Sequence, residues 1–122
     1  MVYKGNFNKR KKGIYAEDYA VCLLKNKGYK IIDRNFNTPF SEIDIIAEKN
    51  NLLVFVEVKA RWGTKFGRPE EFVNEKKIFR IKKAGELYFL KNPELPKKSM
   101  ILVVSLIYEN KTLVSEKLIK VY

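Results

Sequence analysis

Residues 41–60 read SEIDIIAEKNNLLVFVEVKA, and this stretch decides the fold. Two apolar segments, Ser41–Ala47 and Leu52–Ala60, flank the polar break Glu48, Lys49, Asn50, Asn51, which predicts two strands joined by a short turn. Side chains alternate faces along a strand, so Glu42 and Asp44 should point one way and Ile43 and Ile45 the other. The same rule groups Phe55, Glu57 and Lys59 against Val54, Val56 and Val58. A symmetric two- or four-residue turn within Glu48–Asn51 sets Asp44 opposite Phe55 and Glu57 opposite Glu42. Asp44 and Glu57 then become diagonal neighbours on one face, roughly 7 Å apart at the backbone and within reach of a shared cation. A slip of one residue would separate them.

Acids gathered on one sheet face repel each other, and Lys59 offers a single compensating charge. Magnesium takes oxygen ligands, keeps several waters and needs only one or two protein carboxylates, which Asp44 and Glu57 can supply, with the Val58 carbonyl as a further ligand. A cation there would neutralise charge on a phosphodiester, and Lys59 could orient a water or stabilise the transition state. The competing explanation is a solvated polar sheet face with an ordinary cross-strand ion pair. Two features weigh against it. LLVFVEV is apolar on both faces, which carries Glu57 into the interior, and Glu17 from a separate helix lies at the margin of an apolar arc.

Working outward, Ile14–Asn26 has helical composition and ends at Gly28, a position suited to a left-handed cap. Ala16, Ala20, Leu23 and Leu24 form its core stripe, with Asp18 and Lys25 toward water. Tyr29–Phe36 predicts a strand and RWGTKFGR, residues 61–68, an exposed loop with two aromatics. Pro69–Asn92 predicts a second helix, interrupted near Phe72–Glu75, with Ile78, Ile81, Ala84 and Tyr88 buried. On that helix Lys76, Arg80 and Lys83 share a face with Lys77 beside them, either a phosphate-facing ridge or a solvated amphipathic face. Met100–Ile107 has the apolar continuity of a strand covered on both sides, and Leu113–Tyr122 supplies a last strand or two. The order implies one α/β domain over residues 13–122, preceded by a flexible basic arm over residues 1–12.

The chain has 122 residues, with 25 Lys and Arg against 14 Asp and Glu, a formal net charge of +11. Such a field attracts polyanions, although a Lys-rich solubility surface gives the same balance. With no histidine, Ser-His-Asp and Cys-His catalysis and most zinc sites are excluded. The lone cysteine, Cys22, excludes an intrachain disulfide. With no signal-peptide pattern and no apolar run of spanning length, a cytoplasmic location without membrane partners is expected.

The strings GIYAEDYAVCLLKNKGYKIIDRNF, SEIDIIA, LLVFVEVKAR and FGRPEEFVNEKKIFRIKKA agree in order and spacing with a known pattern. Together they resemble the YraN-like family of endonuclease-like proteins within the PD-(D/E)XK nuclease superfamily. The resemblance implies a restriction-endonuclease-like fold close to that of Holliday-junction resolvases, a central mixed sheet flanked by helices, with Mg²⁺ or Mn²⁺ as cofactor. It makes Asp44 and Glu57 metal ligands, Lys59 the catalytic lysine and Glu17 a helix acid reaching the metal through water. Lys77 matches a basic position able to hold phosphate, and Glu42 matches the family string without an assigned ligand role. Ser41 stands where the family usually has glycine, and Ser99 and Met100 replace an Arg-Phe-Asp pattern.

Two functions from different classes follow. One is a metal-dependent endonuclease acting on nucleic acid, DNA ahead of RNA, branched structures included. The other is a catalytically silent nucleic-acid-binding module using Arg61, Arg68, Lys76, Lys77, Arg80 and Lys83. An interaction domain presenting Trp62 and Phe66 ranks behind both, and a homodimer is compatible with a chain of this size.

Overall fold

The structure, a computed structural model, describes residues 9–63 and 73–121. Helix α1 spans Lys9–Asn26 and strand β1 Lys30–Asn37. Strand β2 covers Glu42–Lys49, β3 Leu52–Trp62, helix α2 Glu75–Lys91, β4 Ser99–Glu109 and β5 Thr112–Lys120. The helix that begins at Lys9 takes in the basic run Lys9–Lys12, which the sequence alone assigned to the arm. Asn26 is its last residue as expected, and Gly28 follows at φ 91°, its N–H donating to the Lys25 carbonyl while that of Tyr29 reaches Leu24. Only glycine holds that backbone conformation without strain.

The strands form one mixed sheet in the order β1-β2-β3-β4-β5. All neighbours are antiparallel except β3 and β4, whose parallel pairing requires the crossover that α2 provides. This open α/β sheet flanked by helices is the expected architecture, compatible with a restriction-endonuclease-like fold. Strand β4, an interior strand between β3 and β5, is buried continuously from Ile101 to Tyr108, as its apolar run requires.

Each sheet face carries one helix. Ala16, Ala20 and Leu24 of α1 pack with Ile45, Ala47, Val54, Val56, Leu102 and Val104. On the other face Ile81, Ala84 and Tyr88 of α2 pack with Ile46, Leu53, Phe55 and Ile101. Val54 and Val56 therefore face α1 while Phe55 faces α2, so β3 alternates as expected. In β2 the alternation breaks. Ile45 joins the α1 side but Ile43 the α2 side, where uniform alternation had put both on one face.

The β2–β3 register also differs from expectation, by two residues. Asn50 and Asn51 both adopt positive φ, 52° and 62°, forming the two-residue turn, and Lys49 pairs with Leu52. Phe55 pairs with Ile46 rather than Asp44, and the ladder runs as far as Ile45 with Val56. The same register continued one step would set Asp44 across from Glu57, in place of Glu42, although the paired ladder itself ends at Ile45. A two-residue shift preserves the faces, so the intended neighbours come closer instead of separating.

Among the described residues no helix is long and apolar enough to cross a membrane.

Helix α2 approaches the sheet at Gly85, where an added Cβ would lie 2.5 Å from Cε2 of Phe55. That ring is 2% exposed and in edge contact with Phe89. Glycine to alanine inside a helix ordinarily stabilises, but here the sign reverses. Gly85→Ala is expected to lower stability by about 1–3 kcal/mol through overpacking, measurable as a reduced midpoint in thermal or urea denaturation.

Candidate active site

The site begins where the β2–β3 ladder opens. The pairs Lys49–Leu52, Ala47–Val54 and Ile45–Val56 recur every second residue, and the next of that kind would join Ile43 to Val58. Instead, the Val58 N–H donates to Asp44 Oδ2 at 2.8 Å. A side-chain carboxylate thus takes the bond a backbone carbonyl would otherwise accept. The Val58 carbonyl, on the same strand edge as its N–H, faces the same opening.

Glu57 is 4% exposed and is the one charged residue buried among the described residues. Its Oε2 lies 3.2 Å from Lys77 Nζ and 3.9 Å from Lys59 Nζ. Neither contact supplies that atom with a directed hydrogen bond, so among the described residues a buried carboxylate oxygen has charge balance without full coordination. Beside it, the Asp44 carboxyl is pushed up from its ordinary 3.8 to about 8. Burial is the largest cause, followed by the hydrogen bond to Glu57 and the charge of that group, while the Val58 N–H opposes them. Near neutral pH Asp44 therefore holds a proton against Glu57.

Glu17 lines the same cleft as Asp44, together with Lys59, Arg61, Lys9 and Lys12. Its Oε1 is engaged by Arg34 of β1 at 3.2 Å, and Arg34 also reaches Asp18 at 2.8 Å. This is the cation that a carboxylate at the edge of an apolar arc calls for. Among the described residues no three acids stand close enough together to form a ready-made metal cluster. The candidate ligand set is thus the Asp44–Glu57 pair, with Glu17 at its margin. Glu42 is exposed, on the strand end that pairs with Asn37. Oxygen donors alone and a buried carboxylate atom without a hydrogen bond suit a hard divalent cation such as Mg²⁺.

The basic residues divide. Lys77 leaves the expected ridge on α2 and turns inward to Glu57, with its ammonium also donating to Ser41 Oγ at 3.3 Å. Its own backbone N–H is capped by Asn74. Lys76 and Arg80 remain exposed on α2, while Lys83 pairs with Glu86 at 3.7 Å. Arg61 belongs to β3, which continues through Trp62 where an exposed loop had been expected. Trp62 stacks on Tyr108. Arg68 and Phe66 lie outside the described residues.

Two contributors escaped the sequence reading. Arg34 shares no periodicity with Glu17, and its only clue was the adjacent acid pair Glu17–Asp18 lacking a local counter-ion. Ser41 drew notice only as a replacement for glycine, whereas its hydroxyl holds Lys77.

The profile described as Uncharacterised protein family UPF0102 matches residues 16–106, three-quarters of the chain. The chain belongs to the UPF0102 family. A UPF0102 protein from Syntrophomonas wolfei is 44% identical over 101 residues, covering 83% of this chain and 88% of its own. Another from Persephonella marina is 42% identical over 99 residues, covering 81% and 85% respectively. A third, from Fervidobacterium nodosum, is 47% identical over 98 residues, covering 78% and 72%. Glu17, Asp44, Glu57, Lys59 and Lys77 all fall within the segment that defines UPF0102 membership.

The raised Asp44 carboxyl links stability to pH. Its folded form stays protonated to about pH 8, whereas the unfolded chain releases that proton near 3.8. The contribution is fully present below the unfolded value and is lost as pH rises through the folded one. Asp44→Asn keeps an acceptor for the Val58 N–H without the titration. In metal-free buffer its melting temperature should match the parent near pH 4 and exceed it by a widening margin toward pH 8, as calorimetric scans across that range would record.

Proposed function

We propose that this chain is a metal-dependent nuclease that binds nucleic acid and hydrolyses its phosphodiesters, DNA ahead of RNA. The observation that carries the reading is the buried Glu57 carboxylate beside the proton-holding Asp44, with Lys59 on the same strand. A solvated polar sheet face gives no reason to bury Glu57 or to desolvate Asp44, since both burdens cost stability. Such costs persist where a site needs them.

Asp44, Glu57 and the Val58 carbonyl are the groups that would hold Mg²⁺ or Mn²⁺, with Glu17 contributing through water. When bound, the cation supplies charge neutralisation at the phosphate and acidifies water. The chain's own residues do the rest. The Val58 N–H fixes the orientation of Asp44, and the sheet core fixes Glu57. Lys59, partly exposed at the cleft, is able to hold a non-bridging phosphate oxygen or orient the attacking water. Lys9, Lys12 and Arg61 surround that position with positive charge and favour a phosphate backbone.

One observation favours a second reading, a binding module without turnover. Lys77 already balances Glu57 at 3.2 Å, a role that a metal would otherwise fill.

Incubation with duplex, flap, junction and single-stranded substrates in Mg²⁺ or Mn²⁺ separates the two. The nuclease reading expects cleavage of at least one substrate. Asp44→Ala, Glu57→Ala and Lys59→Ala should each reduce it by about 100-fold or more, with nucleic-acid affinity within a few-fold of the parent. Binding without cleavage of any substrate would favour the silent module, and loss of binding together with cleavage would contradict the division of roles.

A further inference from the structure

The cleft that contains Asp44 does not stop at the acids. Its outer part is lined by Lys9 and Lys12 from the first turn of α1 and by Arg61 and Trp62 at the end of β3. A second hollow of about 500 Å³ shares Lys12 and Trp62 and continues to Lys111 in the β4–β5 turn. The two make a groove in which cations outnumber the acids Glu17, Asp44 and Glu109, with an aromatic ring where they meet.

That ring has a rigid backing. The Trp62 indole lies parallel to Tyr108, with centroids 4.6 Å apart and planes 11° from coincidence, and Tyr108 is fully buried. Stacking of this kind occupies one face of the indole. The Lys12 ammonium lies over the ring, 5.3 Å from its centroid. A lysine over an indole is a modest contact on a flexible stem, readily exchanged for a better one. Trp62 is four residues beyond Val58 on the same strand, a span of about 13 Å at the usual rise. One nucleic-acid strand could therefore pass the acids and reach the indole.

We propose that this groove is a binding site for an unpaired nucleic-acid strand. One base stacks on Trp62, and its flanking phosphates are held by Lys9, Lys12, Arg61 and Lys111. Lys12 moves from the indole to a phosphate as the base takes its place. A base inside a duplex has both faces covered by its neighbours, so the platform selects a strand that is single, frayed or displaced. The inference deepens the nuclease reading, resting on it for the chemistry at the acids, and names the substrate class that the site would take.

Trp62 is the sole tryptophan of the chain, so intrinsic tryptophan fluorescence reports on this residue alone. Metal-free parent protein in EDTA is titrated with single-stranded oligothymidylate and, separately, with a blunt duplex of equal length. Binding of each is followed in parallel by the anisotropy of a labelled strand. The single strand should quench Trp62 fluorescence along its binding curve, while the duplex should bind with little quenching. Trp62→Leu should weaken single-strand binding about 10-fold and leave duplex binding nearly unchanged. Lys12→Gln, which retains the indole, should also weaken the single strand and reduce the salt dependence of its binding.

Single-strand binding without quenching, equal quenching by duplex, or no single-strand binding would each overturn the proposal. Because EDTA removes metal-dependent turnover from the experiment, the outcomes separate. Quenching by a protein that cleaves nothing retains the groove and rejects the nuclease, whereas cleavage without quenching does the reverse.

Discussion

The bond on which the site depends is the 2.8 Å contact from the Val58 N–H to Asp44 Oδ2. A strand leaving its neighbour exposes backbone donors that must be satisfied within the fold. Here the carboxylate of Asp44 meets that demand, allowing β2 to depart from β3 after Ile45 while the Val58 N–H remains paired. The consequence is geometric: Ile43 crosses to the α2 side, Asp44 turns to the Val58 N–H, and the Glu57 carboxyl is its neighbour. Pairing in the sheet and formation of the acid pair are thus one structural event.

Two buried acids in contact would destabilise the fold if both were charged. The balance is achieved from several directions. Asp44 retains a proton, Lys77 arrives from α2 steadied by Ser41, Lys59 lies along the strand, and Arg34 from β1 draws Glu17 to the margin. The helices on opposite sheet faces both converge on the end of the sheet where β2 and β3 part. Their cations are therefore local to the acids, rather than spread evenly over the surface by the overall positive charge. Removing a neighbouring lysine would expose the same repulsion that a divalent cation is suited to relieve.

Much of this was legible in residues 41–60. Alternation separated Phe55 and Glu57 from Val54 and Val56, and the two-sided apolar character of LLVFVEV was enough to bury Glu57. The register was not, because a turn at Lys49–Asn50 and one at Asn50–Asn51 conserve the same faces. The difference lies in the tolerance of both asparagines for positive φ. Periodicity also missed the break at Asp44, which arises from a side chain replacing a backbone partner. Helical spacing set Lys77 beside the ridge of Lys76 and Arg80 but held no information about a carboxylate some twenty residues earlier in the chain. Trp62 read as a loop residue because glycine follows it, whereas its stack on Tyr108 depends on the parallel β3–β4 pairing.

Membership of UPF0102 establishes the family, and the opened ladder gives its shared segment a chemical interpretation. The central claim is that the Asp44–Glu57 pair holds a divalent cation. Its most direct test is titration of the metal-free protein with Mn²⁺, following the disappearance of the free-ion signal by electron paramagnetic resonance. The account predicts one saturable site per chain, lost in Asp44→Asn and in Glu57→Gln but retained in Glu42→Gln. The absence of a saturable site, or a site undiminished in Glu57→Gln, would contradict it.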